Sequence, residues 1–446
     1  MRVAWQAGVI KALEEAEVND FTHADGTSGG IFNLSALLSG VTPTDLVERW
    51  CTLDPKRFVS FAPLKEYLDS PTNLRAMGDA DGLVHDVLPH LGISIDRINT
   101  HTAMSGSFNV ANFTTKTAVA IPHTEIDLPR LVAGVSLPIF LPAVEAHGAT
   151  WTDAVWMRDA NPLEAVRRGA NELWLLWCIG NTSRWGNGAL EQYVHMIELS
   201  ANSALFEDLA GIETAFRLHV IKPRFPLPLD PDYYMGRIAS DALVAMGYRD
   251  AWNYLASRHD AGVTPDHTCT QMIDPPLGVR MRTEYAVDLG GIGNAQLVVN
   301  TEVHDLERFC SDRGDRADIC GFLLHPDGTR WLLRDGTFLM ETVGEHRTRL
   351  TTRATCGPTS RPLALELVGE WHDDEGFDFW SDLTTAKLTL RSADGAVVDG
   401  GQARLGVNAL RHVIASIEPT GAHDLGDRAS IIARAARFFF GRFADR

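Results

Sequence analysis

Gly26-Thr27-Ser28-Gly29-Gly30 decides how the first half of this chain is read. These five residues follow a short extended stretch, Asp20 to Asp25, and open an apolar helical run, Ile31 to Leu38. A serine between a strand and a helix sits on a tight turn that pushes its hydroxyl outward, and glycine neighbours leave room for a reacting group. The helix behind it aims unpaired N–H groups and a positive dipole end at the same spot. Such a turn presents a serine nucleophile beside part of an oxyanion hole. Ser28 is the candidate nucleophile, and Gly26, Gly29 and Gly30 shape its elbow.

A serine hydroxyl needs a group to take its proton. Sixteen histidines leave a Ser–His–Asp arrangement open by count, but none sits in a motif. Asp153 does. It lies in Thr150-Trp151-Thr152-Asp153-Ala154-Val155, followed by Asn161-Pro162-Leu163. Asp153 would end a strand at the same sheet edge as Ser28, and Asn161-Pro162 would start the next helix. An aspartate within hydrogen-bond reach of a serine acts directly as general base. Taken alone, Asp153 reads as a loop aspartate capping a turn; beside the Gly26–Gly30 elbow, the catalytic reading is the stronger one.

Composition narrows the rest. The 446 residues leave room for two or three domains, with an ordinary globular balance of 45% hydrophobic and 22% charged residues. The net charge of −18 argues against nucleic acid as a partner. Cys51, Cys178, Cys269, Cys310, Cys320 and Cys356 show no C-x-x-C spacing, which reads as reduced thiols of a cytoplasmic chain and not as a disulfide framework or metal site. The first residues do not form a signal peptide. The stretch Leu131 to Val144, broken by Pro138 and Pro142, is too short to span a bilayer and reads as buried core.

Along the chain, helices alternate with short apolar strands. Met1 to Ala16 reads as a helix. Ser107–Phe113, Lys116–Ile121 and Leu173–Ile179 read as strands, the last as a central parallel strand apolar on both faces. Ser240 to Ser257 reads as a helix. The predicted class is α/β, a mostly parallel sheet sandwiched by helices. After a turn-rich boundary at Ala261–Pro276 the texture becomes β-rich, ending in helices at Asn408–Ser416 and Arg428–Ala444. The predicted domains are 1–265 and 277–446. Trp5, Trp174 and Trp177 read as core.

Four stretches in this order carry a family resemblance: Gly8–Glu15, Gly26–Gly30, Ser136–Val144, and Thr152-Asp153-Ala154 with Asn161-Pro162. Over roughly the first 180 residues the chain resembles the patatin-like phospholipases. The resemblance implies a serine lipid acyl hydrolase that cleaves carboxylic esters through an acyl-enzyme, with Ser28 as nucleophile, Asp153 as base, a lipid ester as substrate and no cofactor. The family carries glycines after its aspartate; here Ala154 and Val155 take their places. Its Gly-rich oxyanion loop should end at Met1-Arg2-Val3, where Arg2 fits the basic position and Val3 replaces a glycine. The strand and glycines before that loop are missing, so the expectation is a natural chain that extends upstream of Met1. Otherwise an empty central slot in the sheet would leave a weak or dead hydrolase.

The second half resembles a β-rich accessory region attached to some sterol- and alcohol-oxidase-like flavoproteins, through Gly369–Thr385. No flavin fingerprint accompanies it, so no flavin is expected. Asp373, Asp374, Glu375 and Asp378 lack calcium-loop spacing and read as a solvated acidic turn. Phe438, Phe439, Phe440 and Phe443 among arginines suit a helix at a lipid surface, a peripheral membrane contact; packing onto the β-rich domain is the favoured alternative. Two further functional readings stay open: a histidine-dependent α/β-hydrolase, and a non-catalytic lipid-binding or scaffold protein with a degraded oxyanion hole.

Overall fold

The first helix, α1 (Val3–Glu15), is apolar on nearly every side, with Val3, Ala4, Trp5, Ala7, Gly8, Val9, Ala12 and Leu13 buried. A helix of that kind belongs in a core. The computed structural model describes the chain except residues 1, 55–56, 59, 62–75, 77, 187, 229–237, 312–315, 344–346, 373–383, 423 and 445–446. Pro231, the acidic stretch Asp373–Asp378 and most of Gly369–Thr385 therefore lie outside the described residues, as do the side chains of Phe439, Phe440 and Phe443.

Two compact units divide the chain, Met1–Ile273 and Asp274–Arg446. In the first, α1 is followed by β1 (His23–Thr27), α2 (Gly30–Leu38) and α3 (Pro43–Thr52). After short helical segments come β2 (Ser105–Asn112), β3 (Thr117–Pro122), α4 (Leu128–Gly134), β4 (Val144–Ala146) and β5 (Ala149–Asp153). Then follow α5 (Pro162–Arg167), β6 (Glu172–Leu176), α6 (Ala189–Ala210), β7 (Arg217–Ile221) and α7 (Ser240–Ser257). Asn33 of α2 ties three helices together. Its Nδ2 donates to the Val3 carbonyl at 2.9 Å, and its Oδ1 accepts from Trp50 Nε1 at 2.8 Å.

Helices α1 and α7 approach closely enough that glycine is required at the crossing. A Cβ on Gly8 would lie 1.9 Å from the Val244 carbonyl oxygen, and one on Gly247 would lie 1.8 Å from the Trp5 carbonyl oxygen. Trp5 Nε1 also donates to Asp250 Oδ2 at 2.8 Å, which satisfies the buried indole.

The α/β class holds, but the sheet is mixed and not mostly parallel. β1 runs parallel to β2 and β6 parallel to β7, whereas β2–β3, β2–β5 and β4–β5 are antiparallel. Short hairpins are the reason. Phe113–Lys116 joins β2 to β3, and His147-Gly148 joins β4 to β5; links that short permit only antiparallel pairing. Leu173–Ile179 is also not a central strand. β6 pairs only with β7 among the described residues and is only partly buried. Trp5 and Trp177 are buried, but Trp174 is half-buried, stacked on His219 with ring centroids 4.2 Å apart. The run Leu131–Val144 splits: Leu131 to Ser136 is buried, whereas Ile139 is 57% exposed.

The pairing that positions the site is on β2. β3 occupies one edge of β2 from Ser107 to Asn112. β1, paired at Ser105–Asn109, and β5, paired at Val110–Asn112, must therefore share the other edge. They run in opposite directions and meet at their C-terminal ends, Thr27 opposite Asn109 and Asp153 opposite Val110.

The second unit is a closed antiparallel barrel. Its strands are β8 (Gly278–Leu289), β9 (Gly293–Val303), β10 (Arg316–Leu324), β11 (Arg330–Leu332), β12 (Arg334–Thr342), β13 (Arg347–Cys356), β14 (Leu363–His372), β15 (Thr385–Arg391), β16 (Val397–Arg404) and β17 (Glu418–Thr420). The ladder runs β8–β9–β10–β12–β13–β14–β15–β16 and returns to β8, so eight strands close the ring. Closure removes free edges. β11 and β17 pair on β10 and β8. Among the described residues, three helices accompany the strands: α8 (Leu306–Ser311), α9 (Val407–Ala415) and α10 (Leu425–Ala444). Ile431 and Ala435 of α10 join the barrel's apolar cluster, and Phe438 meets Phe309 edge-on at 5.7 Å. Phe438 thus packs onto the barrel. No helix among the described residues is long and apolar enough to cross a membrane.

Because the added methyl would meet backbone, Gly8→Ala is expected to destabilise the first unit by about 1–3 kcal/mol or more, read as a lower urea midpoint. An exposed alanine control, Gly148→Ala, is not equivalent, since Gly148 has φ +70; Ser257→Ala on the exposed end of α7 is the better reference.

Candidate active site

Ser28 follows β1 directly and has φ +51. A non-glycine residue in this left-handed region is uncommon and marks a strained turn. The strain has a local cause. The strand ends at Thr27 and α2 begins at Gly30, with the Ile31 N–H donating to the Ser28 carbonyl at 3.1 Å. Two residues must reverse the chain, and the side chain at the turn is thrown outward. The N–H groups of Gly29 and Gly30 belong to the first turn of α2, where no intrahelical acceptor exists.

The glycines of the elbow are not equivalent. A Cβ on Gly29 would lie 2.4 Å from Val3 Cγ1, and one on Gly26 would meet the Gly30 carbonyl oxygen at 3.0 Å. A Cβ on Gly30 would meet nothing nearer than Gln6 Oε1 at 3.9 Å. Arg2 lines the same cavity, its Nε donating to the Pro228 carbonyl at 3.3 Å.

Asp153, the last residue of β5, is 1% exposed. Oδ1 accepts from the Val155 N–H at 2.9 Å, while Oδ2 is buried without a hydrogen bond of ordinary length. Burial pushes its pKa up to about 7; the neighbouring Ser28 hydroxyl and the Val155 N–H favour the charged form and limit the rise. The Ser28 hydroxyl therefore lies near enough to the Asp153 carboxyl to act on its charge. Neither Ala154 nor Val155 takes a positive φ, so this loop has no conformational need for glycine. Among the described residues no histidine hydrogen-bonds Ser28 or Asp153.

A cavity of about 610 Å³ opens on Ser28, a size ordinary for a small-molecule site. Leu137, Phe140, Val194, Ile197, Leu205 and Leu209 are among its apolar walls. It lies between β1 and β6, which both line it and which have no strand between them among the described residues. Asp25 and Asp159 also line it. Burial raises Asp25 to about 6, opposed by hydrogen bonds from the Asn109 side chain and the Asn161 backbone. Asp159 rises to about 7, from burial first and then from the charges of Asp153 and Asp25. Tyr193 rises to about 12 through burial and Asp153. His23, also on the cavity wall, falls to about 4 through burial and Arg168, so its ring is neutral. These carboxylates do not form a metal-ligand set; among the described residues no such group occurs.

Residues 1–167 match the family model of the patatin-like phospholipases. This part of the chain is a patatin-like phospholipase domain. Comparison with curated proteins gives no match. The patatin-like match places the region in a lipid-hydrolase family and spans both Ser28 and Asp153.

Asp25, Asp159, Asn109 and Tyr193 were not singled out by sequence reasoning. One signal was present. In His23-Ala24-Asp25-Gly26-Thr27, polar residues alternate with small ones, the period-two mark of a strand with one polar face. Asp159 and Tyr193 reach the patatin-like site from a loop and a later helix, and nothing local marks them.

Two outcomes are expected here. Gly29→Ala should displace α1 from the elbow and remove labelling of Ser28 by a fluorophosphonate, while Gly30→Ala keeps a folded, labelled protein. The second concerns pH. With a pKa raised from 3.8 to about 7, the folded chain holds the Asp153 proton more tightly than the unfolded chain. Stability from this group is full below about pH 4, falls as pH rises toward 7, and stays lost above. Asp153→Asn, neutral throughout, should melt above the wild type at pH 8, with the gap closing below about pH 4.

Proposed function

We propose that the N-terminal unit is a serine lipid acyl hydrolase working through a Ser28–Asp153 dyad, with carboxylic esters of lipids as substrates. The observation that carries the reading is Ser28, its backbone held at positive φ on the wall of a largely apolar cavity, beside the buried Asp153 carboxyl with one oxygen left over. The patatin-like match supports the same class. In this reading the hydrolase domain runs past the matched residues to about 265, and 277–446 is an accessory domain. The substrate is met at a lipid surface through peripheral contact.

Asp153 takes the Ser28 proton as Oγ attacks the ester carbonyl. The tetrahedral oxyanion is held by the Gly29 N–H, aided by the α2 dipole. Collapse expels the alcohol, which takes the proton back from Asp153. Water then enters, gives a proton to the same carboxylate and attacks the acyl carbon; the acyl–Oγ bond breaks, Ser28 Oγ takes the proton back from Asp153, and the fatty acid leaves. A base with a pKa near 7 suits this work, because it is ionised at neutral pH and still basic enough to accept a proton. Arg2 adds positive charge to the cavity.

One observation favours a second reading, a non-catalytic lipid-binding domain: β1 has no strand partner on its cavity side among the described residues, so oxyanion donors from a neighbouring strand–loop are not in view. One experiment separates the two. In the dyad reading a fluorophosphonate probe labels Ser28, and p-nitrophenyl ester turnover falls at least about a thousandfold in Ser28→Ala and in Asp153→Asn. The wild-type kcat/KM should fall on the acid side of about pH 7, the raised value of Asp153. No labelling of a folded protein, or turnover unchanged in Ser28→Ala, overturns the dyad.

A further inference from the structure

On β1 and β2, one face carries a continuous set of polar side chains, buried at Thr27, Ser107 and Asn109 and half-buried at His23 and Asp25. His23 Nε2 lies 3.2 Å from Ser107 Oγ. Asn109 Nδ2 donates to Asp25 Oδ1 and to Thr27 Oγ1, each at 3.0 Å. Asn109 Oδ1 in turn accepts from Asn161 Nδ2 at 2.8 Å. Asn161 caps α5, its Oδ1 accepting from the Glu164 N–H at 3.3 Å. Asn109 is 1% exposed. Both its amide protons are used, and both go to the strand that ends at the nucleophile.

The place of Asn109 is as informative as its bonds. It stands opposite Thr27, the residue before Ser28, and its neighbour Val110 stands opposite Asp153. It therefore occupies the point on β2 where β1 and β5 meet end to end. A residue held in the left-handed region stays there only if its surroundings over-determine it. On the helix side of Ser28 the constraint is the Ile31 N–H. On the strand side it is the Thr27 hydroxyl, pinned by Asn109.

We infer that Asn109 is a positioning residue of the hydrolase: its amide locks the end of β1 to β2 and so fixes the Ser28 hydroxyl against the Asp153 carboxyl. The inference rests on the dyad reading above. A misplacement of about 1 Å at a reacting pair lowers the rate by roughly 100-fold, so a side chain that never touches substrate can still set kcat.

The test uses the full chain and four variants, with kcat and KM on a p-nitrophenyl ester and the rate of fluorophosphonate labelling as readouts. Asn109→Asp keeps the shape and loses both amide protons. Thr27→Val keeps the shape and loses the hydroxyl, whereas Thr27→Ser retains it. Asn109→Asp and Thr27→Val should lower kcat and labelling roughly 10- to 100-fold, with KM within about twofold of wild type. Thr27→Ser should stay close to wild type. The double variant should be no slower than the slower single, because the only bond that Thr27→Val removes is one that Asn109→Asp already breaks. Asn109→Asp puts a second carboxylate beside Asp25 and risks misfolding, so the two Thr27 variants carry the test by themselves, with circular dichroism confirming the fold. A folded Thr27→Val with wild-type kcat and labelling overturns the positioning role. Ser28→Ala run in parallel separates the two levels: if it keeps turnover the dyad itself fails, and if it is dead while Thr27→Val is unchanged only the role of Asn109 fails.

Discussion

Two strands ending head to head on one edge of a third is the constraint from which the site follows. β1 climbs β2 and stops at Asn109; β5 descends β2 and stops at Val110. Neither strand can continue without colliding with the other, so each chain must leave the sheet there. One exit is the turn that bears Ser28, and the other is the loop after Asp153. The proximity of two residues far apart in sequence is thus a property of strand pairing and needs no flexible loop to bring them together.

The surroundings of this junction explain its chemistry. Behind the elbow, α1 leaves no space, and the contact of Val3 with Gly29 holds the first turn of α2 against the strand end. In front, the cavity supplies an apolar environment. Removing water from Asp153 raises its pKa to about 7, and the same burial acts on Asp25 and Asp159. Three carboxyl groups in one low-dielectric region compete for charge, so their titrations are linked. The raised pKa of Asp153 costs folding stability above about pH 4, a cost that a site kept for function can carry.

The barrel solves a different problem. A long antiparallel sheet has edges that invite further pairing, and closing eight strands leaves none in the ring. Its interior is filled by side chains such as Leu297, Ile319, Leu365 and Leu388, with α10 laid against it through Ile431 and Ala435.

Much of the site was legible in the sequence, and the division between what was and was not has a physical basis. The elbow is local: strand, turn and helix lie in some twenty consecutive residues, and glycines mark the turn. The helix Ser240–Ser257 was read with its observed bounds, because its apolar spacing is a short-range signal. The mixed sheet was misjudged because strand direction depends on the link length between particular pairs, and an apolar run such as Leu173–Ile179 does not reveal its partner. The sequence by itself marked Ser28 and Asp153 as candidates and determined the local turn that strains the first. Only the tertiary structure decided that their strands end at adjacent positions of a third, that Asn109 lies at that junction, and how far the Asp153 pKa rises. These depend on desolvation and on contacts between residues more than eighty positions apart, which no local pattern encodes.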